Sequence, residues 1–105
     1  MTLQELRYLV AAAEEGQVAR AAERCHVGQP TLSTQLKKLE DTLGVQLFER
    51  GPRGLTPTAA GAPIIAQARV VLEEAAKLRT LARATQDPMT GPLRLGATPT
   101  VRWWP

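Results

Sequence analysis

The sequence has one cysteine, Cys25, so it can form neither an internal disulfide nor a cysteine-based metal cluster. Its one histidine, His26, falls in a turn and reads as a hydrogen-bonding residue, not a metal ligand. Aromatics are scarce, only Tyr8, Phe48, Trp103 and Trp104. Ala, Leu and Val dominate instead, which favours helix over sheet. No apolar run approaches the roughly 18 residues of a membrane-spanning helix. The first residues lack a charged-then-apolar leader, so the cytoplasm is the expected location. No paired acid and base, metal ligand set or phosphate-cradling loop is visible, so an enzyme, a metal and a cofactor are not expected. Ser33 has no partner base that would make it a nucleophile.

Charge of one sign is also nearly lacking in excess. The formal net charge is +3. Across residues 1–58, seven basic side chains (Arg7, Arg20, Arg24, Lys37, Lys38, Arg50, Arg53) meet seven acidic ones (Glu5, Glu14, Glu15, Glu23, Glu40, Asp41, Glu49). An anionic partner must therefore be argued from where charge sits, not from its total.

What is present is helical periodicity. Leu3, Leu6, Leu9, Val10 and Ala13 predict a helix over 2–15, with Thr2 and Glu5 as a capping box and Gly16 as its end. A shorter helix over 18–26 carries Val18, Ala21, Ala22 and Cys25 on one side, where small side chains let a neighbour approach closely. Cys25 is expected there as a packed, inert thiol. His26-Val27-Gly28 is a tight connection, with Gly28 expected to take the conformation closed to most residues. Pro30 suits the first turn of a third helix. Leu32, Leu36, Leu39 and Leu43 form its apolar stripe, and Gly44 stops it.

Beyond Gly44 the helical period breaks. Val45, Leu47 and Phe48, the turn Gly51-Pro52-Arg53-Gly54, and Leu55-Thr56 read as a small hairpin with Arg50 and Arg53 near its tip. From about Thr58 to Gln86 one long helix follows, with Pro63 expected to kink it or delay its first full turn. Ile64, Ala68, Val71, Leu72, Ala75, Leu78 and Ala82 are the candidate dimerisation residues, close to a coiled-coil seam. Arg69, Glu73, Glu74, Lys77 and Arg83 lie off that seam, free to bridge or stay solvated. Asp87 to Pro92 reads as a linker, and Leu93-Arg94-Leu95-Gly96 as the first strand of a further domain.

The fold class is thus mainly α: a winged helix-turn-helix over 1–58, a linker helix over 59–86, and over 87–105 a linker and the start of a regulatory domain. In a helix-turn-helix the second helix enters the major groove of DNA. Gln29, Thr31, Ser33 and Gln35 are candidate base-edge contacts, Pro30 and Thr34 are candidate DNA-binding residues on the same helix, and Lys37 and Lys38 are candidate phosphate contacts. Arg50 and Arg53 suit the backbone and a narrow minor groove. The expected partners are duplex DNA and a second copy of the chain, and no membrane. The alternative is a helical interaction or dimerisation module that does not bind DNA specifically. A basic face with steep salt dependence on duplex DNA separates the two.

The run ARAAERCHVGQPTLSTQLKKLEDTLG (19–44), continuing as VQLFER, resembles the N-terminal domain of LysR-type transcriptional regulators. Thr58-Ala59-Ala60-Gly61 resembles that family's entry into its linker helix. Leu6-Arg7-Tyr8-Leu9, Cys25-His26-Val27 and Gly91-Pro92-Leu93 with Thr98-Pro99-Thr100 resemble the peroxide-sensing, OxyR-like branch. The resemblance implies pairing through the linker helix, tetramers in the intact protein, and an effector site outside this chain. It also exposes departures. Val18 stands where the family usually has an aromatic residue, and Gly28 where a serine usually caps the recognition helix. Pro57, Pro63 and the Trp103-Trp104-Pro105 ending depart too.

Overall fold

The computed structural model describes residues 1–86, with Gln86 described by its backbone alone. The expected linker and strand at 87–105 lie outside the described residues. Four helices and one hairpin follow in the order α1 (Leu3–Glu15), α2 (Val18–Arg24), α3 (Gln29–Leu43), β1 (Phe48–Gly51), β2 (Gly54–Pro57) and α4 (Gly61–Gln86). The chain divides into two units, Met1–Leu72 and the remainder from Glu73 onward.

Helix α1 starts where the capping box places it. The Glu5 amide donates to Thr2 Oγ1 and the Thr2 amide donates to Glu5 Oε1, both at 3.1 Å. Its inner face, Leu6, Leu9, Val10 and Ala12, is buried, as are Ala21 and Ala22 of α2 and Leu32, Leu36 and Leu39 of α3. Leu9, Leu32, Leu39 and Leu47 are the largest fully buried side chains, and truncating such a leucine to alanine costs about 2–5 kcal/mol. Val18 is half-buried and packs against this core.

The connection between α2 and α3 differs from expectation. Helix α2 ends at Arg24, and it is His26, at φ 59, that takes the left-handed conformation. The His26 amide bonds Glu23 O and the Val27 amide bonds Ala22 O, while half-buried Val27 packs on the core. This is a Schellman closure with histidine at the usual glycine position. Gly28, at φ −76 and ψ 157, is ordinary extended backbone serving as the N-cap of α3.

The hairpin pairs Phe48 with Pro57, Glu49 with Thr56, Arg50 with Leu55 and Gly51 with Gly54. Pro52 and Arg53 form its tip. Gly54 adopts φ +115 with its α-carbon facing the Gly16 carbonyl, where a β-carbon has no room, and the Leu55 amide bonds that carbonyl at 2.8 Å. The wing is thus docked on the end of α1. Leu47, Phe48 and Leu55 complete the core from this side.

Helix α4 is regular from Gly61, and Thr58 caps its entry, its carbonyl accepting the Ala62 amide at 3.0 Å. The Thr58 amide bonds Leu47 O, its hydroxyl donates to Gln46 O, and its Oγ1 accepts the Gly61 amide at 2.9 Å. Gly61 lies against the Leu47 backbone, with no space for a side chain. Pro63 follows Ala62, whose amide bonds Thr58 O, and has no amide to offer Ala59, so the regular helical pattern starts at Gly61, after the cap. Ile65 and Ala68 enter the core.

Candidate nucleic-acid interface

The leucine stripe fixes which face of α3 is left over. At about 100° per residue, Pro30, Thr34, Lys37 and Asp41 lie opposite Leu32, Leu36, Leu39 and Leu43. Gln29, Pro30, Thr31, Thr34, Lys37 and Lys38 are exposed, and Ser33 and Gln35 are half-buried at the edges of that face. No side chain caps the N-terminus of α3, so its first-turn amides keep their positive ends outward.

The wing stands beside this face. A groove of about 520 Å³ separates them, lined by Ser33, Thr34, Lys37, Gln46, Phe48 and Arg50, with Glu40 at its base. A shallower hollow beside Thr34 is lined by Pro30, Thr31 and Gln35. Arg50 and Arg53 are exposed and make no ion pair among the described residues.

Glu40 holds the wing to α3. Its Oε2 accepts the Leu47 amide at 2.7 Å and the Phe48 amide at 3.3 Å. In the sequence Glu40 stands out only as one of the seven acids of residues 1–58. Its seven- and eight-residue reach leaves no periodic trace. Gln46, also unanticipated, lines the groove and donates to Phe48 O at 3.0 Å.

The two lysines are not equivalent. Lys37 Nζ lies 4.0 Å from Asp41, both well exposed, a pair that exchanges readily for a phosphate. Lys38 Nζ lies 3.7 Å from Glu5, whose side chain is only 7% exposed. Moving Lys38 to DNA would leave that carboxylate with less compensation.

Two of the remaining acids, Glu14 and Glu15, are occupied elsewhere. Glu14 accepts Arg24 at 2.8 Å and Arg69 at 3.2 Å, and Arg24 also reaches Glu15 at 3.3 Å. Hydrogen bonds from Arg24 and then Arg69 hold the Glu14 carboxyl below its usual range. The contribution of these bonds is therefore present above the ordinary glutamate pKa and is lost as pH falls through the depressed value. Glu5, Glu14 and Glu15 are thus paired within the fold, while Lys37, Glu40 and Arg50 line the groove and Arg53 is exposed at the wing tip. That sorting, invisible in the +3 total, leaves Arg50 and Arg53 as wing cations with no ion pair among the described residues.

Cys25 is half-buried beside that network, and burial pushes its thiol pKa up more than neighbouring Arg24 pulls it down. Among the described residues no cluster of three or more His, Cys, Asp and Glu is placed to hold a metal.

The dimerisation candidates are divided by the fold. Ala68, 4% exposed, is spent in the core of its own domain, and Ile64 and Leu72 are half-buried against it. Ala68 shows only as the floor of an apolar groove of about 270 Å³, with Leu6, Leu43, Ile64 and Val71 among its walls. Val71 is at the border, 37% exposed. Ala75 is half-buried, and Leu78, 68% exposed, and Ala82 are open.

Residues 3–62 match the family model described as bacterial regulatory helix-turn-helix protein, lysR family. The chain belongs to the LysR family. It is 50% identical to the DNA-binding transcriptional dual regulator OxyR of Escherichia coli K12 over 101 residues, which are 96% of this chain and 33% of that protein. It therefore spans about a third of the length of such relatives. Among solved structures it resembles full-length OxyR of Pseudomonas aeruginosa, in a cysteine-to-aspartate variant. There the TM-score is 0.79 at 55% identity, over 83% of this chain and 30% of that one. It also resembles the DNA-binding domain of CbnR in complex with DNA, with a TM-score of 0.77 at 42% identity, over 83% of this chain and all of that one. These family relatives are transcription regulators, not enzymes.

Proposed function

We propose that this chain is the DNA-reading part of a LysR-type transcription regulator of the peroxide-responsive, OxyR-like kind. Helix α3 lies in the major groove, with Gln29, Thr31, Ser33, Thr34 and Gln35 toward base edges and Lys37 toward a phosphate. Arg50 and Arg53 of the wing meet the adjacent backbone and minor groove. The observation that carries this is the shared groove: the polar side of α3, with Ser33, Thr34 and Lys37, and the wing, with Arg50, flank it, and Arg50 and Arg53 have no ion pair among the described residues. Likeness to the CbnR domain, solved on DNA, supports the docking. Likeness to OxyR supports a response to peroxide.

One such unit contacts too few base pairs for genomic specificity. The chain therefore acts as a homodimer through α4, with Val71, Ala75, Leu78 and Ala82 as the principal exposed surface. No helix among the described residues is long and apolar enough to cross a membrane. A regulator of this kind works in the cytoplasm, where the bacterial chromosome lies. Its effector site and any tetramer interface belong to regions outside this chain.

Selection from random duplexes tests the proposal. Enrichment of an inverted repeat, with centres one helical turn or a multiple apart, is the expected result. No enrichment beyond the starting pool contradicts it and favours the interaction-module alternative.

A further inference from the structure

Three helices meet on one carboxylate. Glu14 comes from the last turn of α1, Arg24 ends α2, and Arg69 lies in the third turn of α4. One Glu14 oxygen takes Arg24 Nη1 and the other takes Arg69 Nε. Propensity does not account for this glutamate. An acid in the last turn opposes the helix dipole, and α1 has no basic residue there to offset it. Nor does stability, because Glu14 is 39% exposed and each arginine 44%, and exposed pairs contribute little.

Direction is what the cluster supplies. Gly61 pins the start of α4 on Leu47, and Ile65 and Ala68 bury apolar surface that has little angular preference. Charge-assisted hydrogen bonds do have angular preference. Arg69 lies about 12 Å along the helix from Gly61, far enough for a second fixed point to define an axis.

We propose that Glu14, clasped by Arg24 and Arg69, is a positioning residue that sets the angle of α4 on the helix-turn-helix, and through it the half-site spacing a dimer accepts. This rests on the dimeric DNA-reading function above. Adding one base pair between half-sites moves the second by about 3.4 Å and turns it by about 35°. A dimer whose α3 helices are held rigidly on α4 pays for that mismatch, and one with a loosened α4 adapts.

The test compares the 105-residue chain with Glu14→Ala, Arg69→Ala and the double variant. Alanine is a strong helix former, and thermal unfolding of each variant reports the fold directly. Each is titrated against a single half-site duplex and inverted repeats of graded spacing. Single half-site affinity is expected to stay level, while preference for the best spacing falls about threefold in Glu14→Ala. Arg69→Ala falls in the same direction, and the double variant matches Glu14→Ala because both changes remove one contact. Full retention of the wild-type preference overturns the proposal. So does equal loss on half-site and repeat, which would make Glu14 a support of the fold. A wild-type chain with no spacing preference overturns the dimer reading instead, and the clasp with it.

Discussion

At the residue scale, the interface is decided by which charges are already engaged. Lys37 and Lys38 are adjacent in sequence and both exposed, yet one faces Asp41 at 4.0 Å and the other a buried Glu5 at 3.7 Å. Lys37→Ala is expected to reduce the slope of log affinity against log salt by about one unit, and Lys38→Ala by clearly less. Titrations at four salt concentrations distinguish them, and equal slopes for the two variants would place both on phosphates. Cys25 illustrates the same point for reactivity. Half-buried packing raises its thiol pKa, which disfavours the reactive thiolate, so Cys25→Ser should bind DNA like the wild type in both reductant and peroxide. Peroxide-dependent loss of binding in the wild type, absent in the serine variant, would make this thiol a sensor. The packed Cys25 is legible from the small-residue face of α2, but the lysine distinction is not, because it depends on a partner distant in sequence. Glu5 lies thirty-three positions from Lys38, and Glu14 fifty-five from Arg69.

At the element scale, local rules were sufficient where the structure is local. The Thr2–Glu5 box, the leucine stripe of α3 and the Gly51-Pro52-Arg53-Gly54 turn each act within a few residues, and each appears where the pattern places it. The exceptions arise where tertiary contact intervenes. Thr58 caps α4 while its amide and hydroxyl are tied to Leu47 and Gln46, which no local pattern reveals. The left-handed residue of the turn is His26 because α2 ends two residues early, at Arg24, and Val27 packs on the core. Glu40 joins α3 to the wing through two amides that no sequence spacing reveals. The wing gives a prediction at this scale. Arg53 sits at the tip of a hairpin docked through Gly54 onto α1, with no ion pair among the described residues. Arg53→Ala should weaken binding to all duplexes and flatten the salt dependence by about one unit. An unchanged slope would take the tip off the DNA.

At the scale of the whole molecule, α4 has two roles in succession. Ile65 and Ala68 belong to the first unit's core, whereas Leu78 and Leu81, at 68% and 65%, leave large apolar side chains in solvent. A seam of uniform spacing concealed that division, because periodicity identifies an apolar face without saying what covers it. Leu78→Glu is expected to shift the chain toward monomer in sedimentation equilibrium while leaving its helicity and single half-site binding intact. A wild-type chain that is monomeric at high concentration and binds a repeat no better than a half-site would remove α4 as the pairing element.

The central claim is that α3 reads bases from the major groove. Methylation interference on a selected duplex tests it most directly, since guanine N7 lies on that groove's edge. The account predicts strong interference at guanines within each half-site for the wild-type chain. Thr31→Ala should lose affinity for this duplex, by about 1–3 kcal/mol, more than for a scrambled one. Binding that tolerates methylation at every guanine, with Thr31→Ala losing affinity equally on both duplexes, would show that α3 only rests on the backbone.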